Sequence, residues 1–229
     1  MADIVNWYDK IPNENNKKKL PKNWKNHHIH HNSMILCVGG TGTGKTNALI
    51  DYLSRTSGEF HKIIIVSFST LDEPLYNFLQ QKSNDIEFIN NIDDVPDLNE
   101  FDDENKNKPK LIVFDDFINL SKKQMGVLAD CAISSRKFNF TCVFMAQSYT
   151  SVPKVISRNC NYIMIFKINA KISIKRILYN HGLTEQFNPE QLEHYYYCCI
   201  NQPLGFLTID LKLMMIKKRI RCGFNDILH

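Results

Sequence analysis

The sequence predicts a three-layer α/β domain with a mostly parallel sheet, and three observations lead there. Short apolar runs of strand length alternate with helical stretches along residues 33–170, the order that gives helices on both faces of a parallel sheet. The run Lys62–Phe68 (Lys-Ile-Ile-Ile-Val-Ser-Phe) is apolar on both faces, as a strand covered on both sides must be. The residues with chemical potential fall where these runs end, and an open α/β sheet gathers its ligands beyond the carboxyl ends of its strands.

The first core strand is expected at residues 33–38 and a helix at 47–57, closed by Gly58. Between them Gly39, Gly44, Lys45 and Thr46 have the spacing G-x-x-x-x-G-K-[ST]. Successive backbone N–H groups can face one concavity only where glycine removes Cβ clashes, and the following helix adds the positive end of its dipole. Such a turn holds a polyphosphate, with Lys45 on the β- and γ-phosphates and the Thr46 hydroxyl on Mg²⁺.

Upstream, residues 1–32 are polar and read as an extended arm, broken by Pro12 and Pro21 and pinned by Trp7, Tyr8 and Trp24. The cluster Lys17–Lys19 reads as a solvated surface. His27, His28, His30 and His31 lack cysteine or carboxylate partners at zinc-site intervals, and read as polar surface groups beside the nucleotide.

After the second strand, Thr70-Leu-Asp-Glu73 has capping-box spacing and opens a helix carrying Leu75, Phe78 and Leu79. Every charged residue from 84 to 104 is acidic, so this stretch, with a short strand at 86–89, reads as a mobile excursion away from any DNA-facing surface. The third core strand, residues 110–114, ends in Asp115-Asp116. Ser121 and Gln124 cap the next helix, whose inward stripe is Met125, Leu128, Ala129, Ala132 and Ile133. Residues 140–146 form the fourth strand and deliver Gln147 and Ser148, a helical turn covers 153–157, and the fifth strand is 161–166. A helix at 172–181 stops at Gly182, and Pro189 starts another. Residues 204–211 and 213–220 read as two strands, a hairpin at the sheet edge, with Lys217, Lys218, Arg219 and Arg221 crowding basic charge there. Residues 33–170 are thus the core and 171–229 an extension of the same domain.

The chain has 229 residues and a net charge of +4, too small to argue a nucleic-acid partner alone. Its seven cysteines include no C-x-x-C pair and several lie in apolar runs, the pattern of buried thiols in a reducing, intracellular compartment without a signal peptide. No apolar run is long enough to span a membrane.

Paired acids after an apolar strand, following a phosphate loop, complete a nucleoside-triphosphate site. Asp115 is placed to hold Mg²⁺ and Asp116 to orient and deprotonate the attacking water. Gln147 can sense the γ-phosphate or orient that water. Arg158 and Arg136, each expected on a loop after a core element, are candidates for the extra positive charge of the transition state or for plain surface arginines; Arg158 is favoured.

The ordered set Gly-Gly-Thr-Gly-Thr-Gly-Lys-Thr-Asn (39–47), Leu-Ile-Val-Phe-Asp-Asp (111–116), Ser-Arg-Lys (135–137), Ala-Gln-Ser (146–148) and Arg-Asn-Cys-Asn (158–161) resembles the viral genome-packaging ATPases, the poxvirus-type branch of the FtsK–HerA superfamily. The later Gly-Phe-Leu-Thr-Ile-Asp (205–210) is also similar. The resemblance implies a RecA-like P-loop core with the Gln147 strand between the phosphate-loop and Asp115 strands. It implies ATP and Mg²⁺ as cofactors, nucleotide contacts from Gly39, Gly40, Thr41, Gly42, Thr43, Gly44, Lys45, Thr46 and Asn47, and metal binding by Thr46 and Asp115. Asp116 takes the catalytic-acid position, Gln147 the sensor position and Arg158 that of a finger supplied by a neighbouring subunit. Many relatives have glutamate where this chain has Asp116, one methylene longer, so the water must sit closer or be relayed. The implied partners are double-stranded DNA, a viral capsid and a homo-oligomeric ring of five or six copies. The implied setting is the host cytoplasm or virus factory, with transient residence at the capsid vertex. A non-packaging translocase or helicase and a nucleotide-gated scaffold are the alternatives; a small-molecule kinase or GTPase is disfavoured, because no Asn-Lys-x-Asp signature occurs and no arginine-rich lid follows the fourth strand.

Overall fold

The computed structural model describes residues 20–67, 73–83, 85–101, 105, 107–117, 120–168, 171–213 and 219–228. Trp7, Tyr8, Pro12, Lys17–Lys19 and Thr70 of the sequence reading lie outside these residues. The elements in chain order are α1 (Trp24–His27), β1 (Met34–Val38), α2 (Lys45–Arg55), β2 (Lys62–Ser67), α3 (Pro74–Lys82), β3 (Ile86–Ile89), β4 (Lys110–Asp115), α4 (Lys122–Ser134), β5 (Phe140–Ala146), α5 (Lys154–Asn159), β6 (Tyr162–Ile165), α6 (Lys171–Asn180), α7 (Pro189–Ile200), β7 (Leu207–Asp210), β8 (Ile220–Cys222) and β9 (Asp226–Ile227).

One sheet joins the strands in the order β3-β2-β4-β5-β1-β6-β7-β8-β9. Strands β3 through β6 in that order pair in parallel, and β7, β8 and β9 close the edge antiparallel. The two faces have separate cores, because successive strand residues point to opposite sides. Ile35, Cys37, Leu111, Val113 and Val143 pack under α2 and α3, whereas Leu36, Val38, Ile112, Phe114 and Phe144 pack under the helices from α4 to α7. This is the predicted three-layer α/β architecture with a mostly parallel sheet, and β5, carrying Gln147 at its end, lies between β1 and β4.

Several local expectations need correction. Helix α3 begins at Pro74 and is capped by the Glu73 carboxylate, which accepts from the Leu75 amide at 3.3 Å; proline suits the first helical position because its missing N–H has no helical partner there. On that helix Tyr76 and Leu79 are buried, whereas Phe78 is 50 % exposed. Residues 92–101 are pinned rather than loose: Ile92 and Leu98 are buried in short 3₁₀ turns, and Asp93 accepts from Gln124 at 3.0 Å and pairs with Lys123 at 3.2 Å. Ile133 is 69 % exposed, because α4 turns its buried stripe through Leu128, Cys131 and Ala132. The strand expected at 204–211 spans only Leu207–Asp210, and its hairpin partner is Ile220–Cys222; residues 214–218 lie outside the described residues.

The reading of the cysteines as buried thiols holds for six of them, with Cys198 exposed. Arg221 is buried beside Asp210, Nη1 to Oδ2 3.9 Å, and therefore adds nothing to an exposed basic surface. The capping box of α4 is present in both directions: Ser121 Oγ accepts from the Gln124 amide at 3.3 Å, and Gln124 Oε1 from the Ser121 amide at 3.0 Å. Replacing Ser121 by alanine is expected to cost about 1 kcal/mol of stability, measured by urea unfolding.

Candidate nucleotide site

Strand β1 delivers the turn at residues 39–44 to the carboxyl rim of the sheet, and β5 anchors it there: the Gly39 amide donates to Ala146 O at 3.1 Å. The Gly40 amide donates to Lys167 O at 3.1 Å, on the β6 side. Gly39 and Gly40 thus use their amide hydrogens to shape the loop, leaving the amides from Thr41 onward as those the turn presents at the start of α2. Gly42 and Gly44 take φ of 70° and 95°, the left-handed region that glycine enters without strain. Gly39 answers a different need: a Cβ there would lie 2.4 Å from Phe166 Cβ.

Lys45 Nζ folds over this turn and donates to Gly39 O at 2.8 Å and Gly40 O at 2.9 Å. It stands where phosphate oxygens could replace those carbonyls. Burial holds its ammonium below the ordinary lysine value, with Asp115 and Asp116 pulling the other way.

Asp115 ends β4, opposite Met145 of β5, whose next residue pairs with Val38 of β1. Two strand spacings, about 10 Å, therefore separate β4 from the phosphate-loop strand, room for a terminal phosphate with its metal. Burial raises the Asp115 carboxyl above the usual carboxylate range, opposed by the Tyr76 hydrogen bond and by Lys45. That bond runs from the Tyr76 hydroxyl to Oδ2 at 2.5 Å and fixes the carboxylate's orientation. Tyr76 is fully buried, and sequence reasoning missed it. Its position in the first turn of the helix was legible; that this turn lands beneath the end of β4 was not.

Asp116 has φ of 55°, an uncommon conformation for a non-glycine residue that aspartate tolerates better than most. Its amide donates to Met145 O at 3.2 Å. The reversal brings its carboxylate to Gln147, whose Nε2 donates to Oδ1 at 2.9 Å and Oδ2 at 3.1 Å. Asp116 and Gln147 are both part-exposed, so the pair is open to a ligand.

The two arginines are not brought here. Arg136 sits in a 3₁₀ turn (Ser135–Phe138) feeding the amino end of β5, and Arg158 lies inside α5, before the amino end of β6. Neither is on the expected loop. Arg136 lines a cleft of 230 Å³ with Ser33, Asn159 and Asn161 on the rim opposite Lys45. Both arginines are exposed on that rim.

The histidines also belong to the far rim, because they precede β1 rather than follow it. The expectation that they are surface groups beside the nucleotide is corrected on both counts for His27, which is fully buried. Its Nδ1 accepts from the Ile29 amide at 3.1 Å, which leaves the ring proton on Nε2, facing Glu59 Oε2 at 3.5 Å. His31 Nε2 lies 3.0 Å from the same oxygen.

No family model matches the sequence, and no curated protein matches it. Solved structures do match. The DNA-packaging ATPase B204 of Sulfolobus turreted icosahedral virus superposes with a TM-score of 0.56 at 12% identity, covering 86% of this chain and 98% of that one. The chain has the fold of this packaging ATPase. B204 of Sulfolobus turreted icosahedral virus 2 in complex with ATP-gammaS gives 0.54 at 12% identity, and in complex with sulfate 0.52 at 11%, each over 86% of this chain and 98% of that one. On this RecA-like P-loop fold, Lys45, Asp115, Asp116 and Gln147 converge on one rim while Arg136 and Arg158 stand on the other.

Proposed function

We propose that this chain is an ATP-hydrolysing motor that moves double-stranded DNA into a preformed viral capsid. The observation that supports the reading best is the line across the carboxyl rim from Lys45 to the Gln147–Asp116 pair, on a fold that B204 shares. The triphosphate's terminal group lies between Lys45 and that pair. Lys45 leaves the carbonyls of Gly39 and Gly40 for the phosphate oxygens and offsets their negative charge. Gln147 and Asp116 hold the attacking water in line with the γ-phosphorus, and Asp116 takes its proton as the phosphoanhydride bond breaks and ADP leaves. Because the shorter aspartate is fixed to Gln147, the amide carries part of the positioning that a glutamate would supply by reach.

The Thr46 hydroxyl and the Asp115 carboxylate are hard oxygen donors suited to Mg²⁺. A buried carboxylate held above its usual pKa is also a group whose negative charge lacks full compensation, so the residues fit the cation. Bound there, Mg²⁺ supplies charge neutralisation at the β- and γ-phosphates.

With Arg136 and Arg158 on the far rim, neither serves the site of its own subunit. A ring of copies would bring Arg158, or Arg136, to the next subunit's phosphate, coupling turnover to assembly. DNA contact in such a motor is to the phosphate backbone and independent of sequence. The test is ATP turnover by size-fractionated protein with and without linear duplex. The expected result is turnover confined to the assembled fraction and raised by duplex; assembled protein whose turnover ignores duplex argues for a nucleotide-gated scaffold instead.

A further inference from the structure

The sheet order gives the bound nucleotide a direction. Asp115 and Gln147 stand on the β4 and β5 side of β1, so a γ-phosphate held there points the nucleoside towards β6 and β7. What the chain places on that side is the turn at residues 201–205, between α7 and β7. Leu204 projects from it with φ of 56° and 55 % of its surface exposed. Leucine favours neither condition: the left-handed region crowds its Cβ, and exposure leaves its apolar surface in water. Its side chain stands directly against the phosphate loop, Cδ2 lying 3.0 Å from where a Cβ on Gly44 would be.

The turn that imposes this posture is rigidly built. The Gln202 amide donates to Cys199 O at 3.1 Å and the Gly205 amide to Gln202 O at 3.0 Å. Behind it Phe206 stacks on Phe166, ring centroids 4.9 Å apart, and Phe166 is the residue against which Gly39 packs. The turn and the phosphate loop are therefore fixed to the same support.

We propose that Leu204 is the nucleoside-side wall of the site, giving its apolar face to the ribose and base of a nucleoside triphosphate whose phosphates lie in the loop. The inference rests on the nucleotide reading above. It adds a specificity consequence: an aliphatic wall offers no hydrogen bond to a base edge, so the contact favours no particular purine.

The test measures binding of ATPγS, GTPγS and inorganic tripolyphosphate to the full chain by calorimetry, for wild type, Leu204→Ala, Leu204→Gly and Lys45→Ala. Both Leu204 variants are expected to weaken ATPγS and GTPγS alike, by about tenfold, while tripolyphosphate binding is unchanged. Leu204→Gly should also melt no lower than wild type, since glycine accepts the left-handed backbone without strain. Undiminished ATPγS affinity in Leu204→Gly would overturn the proposal, as would an equal loss of tripolyphosphate or a change in assembly mass alone. Lys45→Ala should lose all three ligands; if it keeps them, the phosphate-loop reading itself fails and the wall falls with it.

Discussion

Asp115→Asn is expected to stop the proposed ATP turnover, lowering kcat by at least about a hundredfold, and at the same time to leave the nucleotide-free protein at least as stable as the wild type. The two effects share one cause. Asp115 is buried at the end of β4, and burial raises its pKa in the folded chain despite the Tyr76 hydroxyl and Lys45. A folded-state value above the unfolded one means the native state holds the proton more tightly. The associated stability is present at low pH and is lost as pH rises through the folded value, so at neutral pH the ionised carboxylate is a liability. Asparagine keeps the size and an oxygen for the Tyr76 hydroxyl but has no charge to bury. The expected gain is about 1 kcal/mol, read by thermal melting, and the wild-type decline in stability with rising pH should flatten in the variant. On the function proposed here, the charge that costs stability is the one a metal and a triphosphate would need, and such a trade marks a functional rather than a structural residue. A variant that melts lower at neutral pH while retaining turnover would contradict both halves.

Gly205→Ala destabilises the fold by about 3 kcal/mol or more, the largest stability effect expected of any glycine here. A Cβ on Gly205 would lie 1.9 Å from Cys199 O and 3.0 Å from its carbonyl carbon, both backbone atoms at the end of α7. No rotamer relieves such a contact; α7 and β7 must separate. For a chain of this size the loss corresponds to a melting temperature lower by about 6 °C or more. Gly126 provides the contrast, because a Cβ there meets nothing within 4 Å and the residue lies inside α4. Gly126→Ala should therefore stabilise, by about 0.5–1 kcal/mol. Both are read by the same denaturant titration. Since Gly205 adjoins Leu204, its loss should weaken nucleotide binding along with the fold, whereas Gly126→Ala leaves binding untouched.

The layered fold was legible because its signals are local and concordant: the apolar run at 62–68, the glycine turn at 39–44 and the acids after residue 114 each require a sheet with a common ligand rim. The strand order came from resemblance, since parallel neighbours far apart in sequence leave no local mark. Tyr76 escaped notice because a tyrosine on an amphipathic helix reads as core, and only the packing of α3 beneath β4 brings its hydroxyl to Asp115. Leu204 escaped for the converse reason: an apolar residue before a strand reads as part of it, and its left-handed backbone is visible only in three dimensions. The histidines were misplaced by adjacency. Residues 27–31 lie close in sequence to the phosphate loop, but a strand of five residues intervenes and carries the chain to the opposite rim. Arg136 and Arg158 follow the same rule, as groups that precede strands rather than follow them.

The most direct test of the account is a structure with Mg²⁺, ADP and a planar fluoride mimic of the departing phosphoryl group. The mimic is expected between Lys45 Nζ and the Asp116–Gln147 pair, with Thr46 and Asp115 around the metal and the nucleoside beside Leu204. A nucleotide bound at another rim, or Asp116 and Gln147 turned away from the mimic, would contradict it.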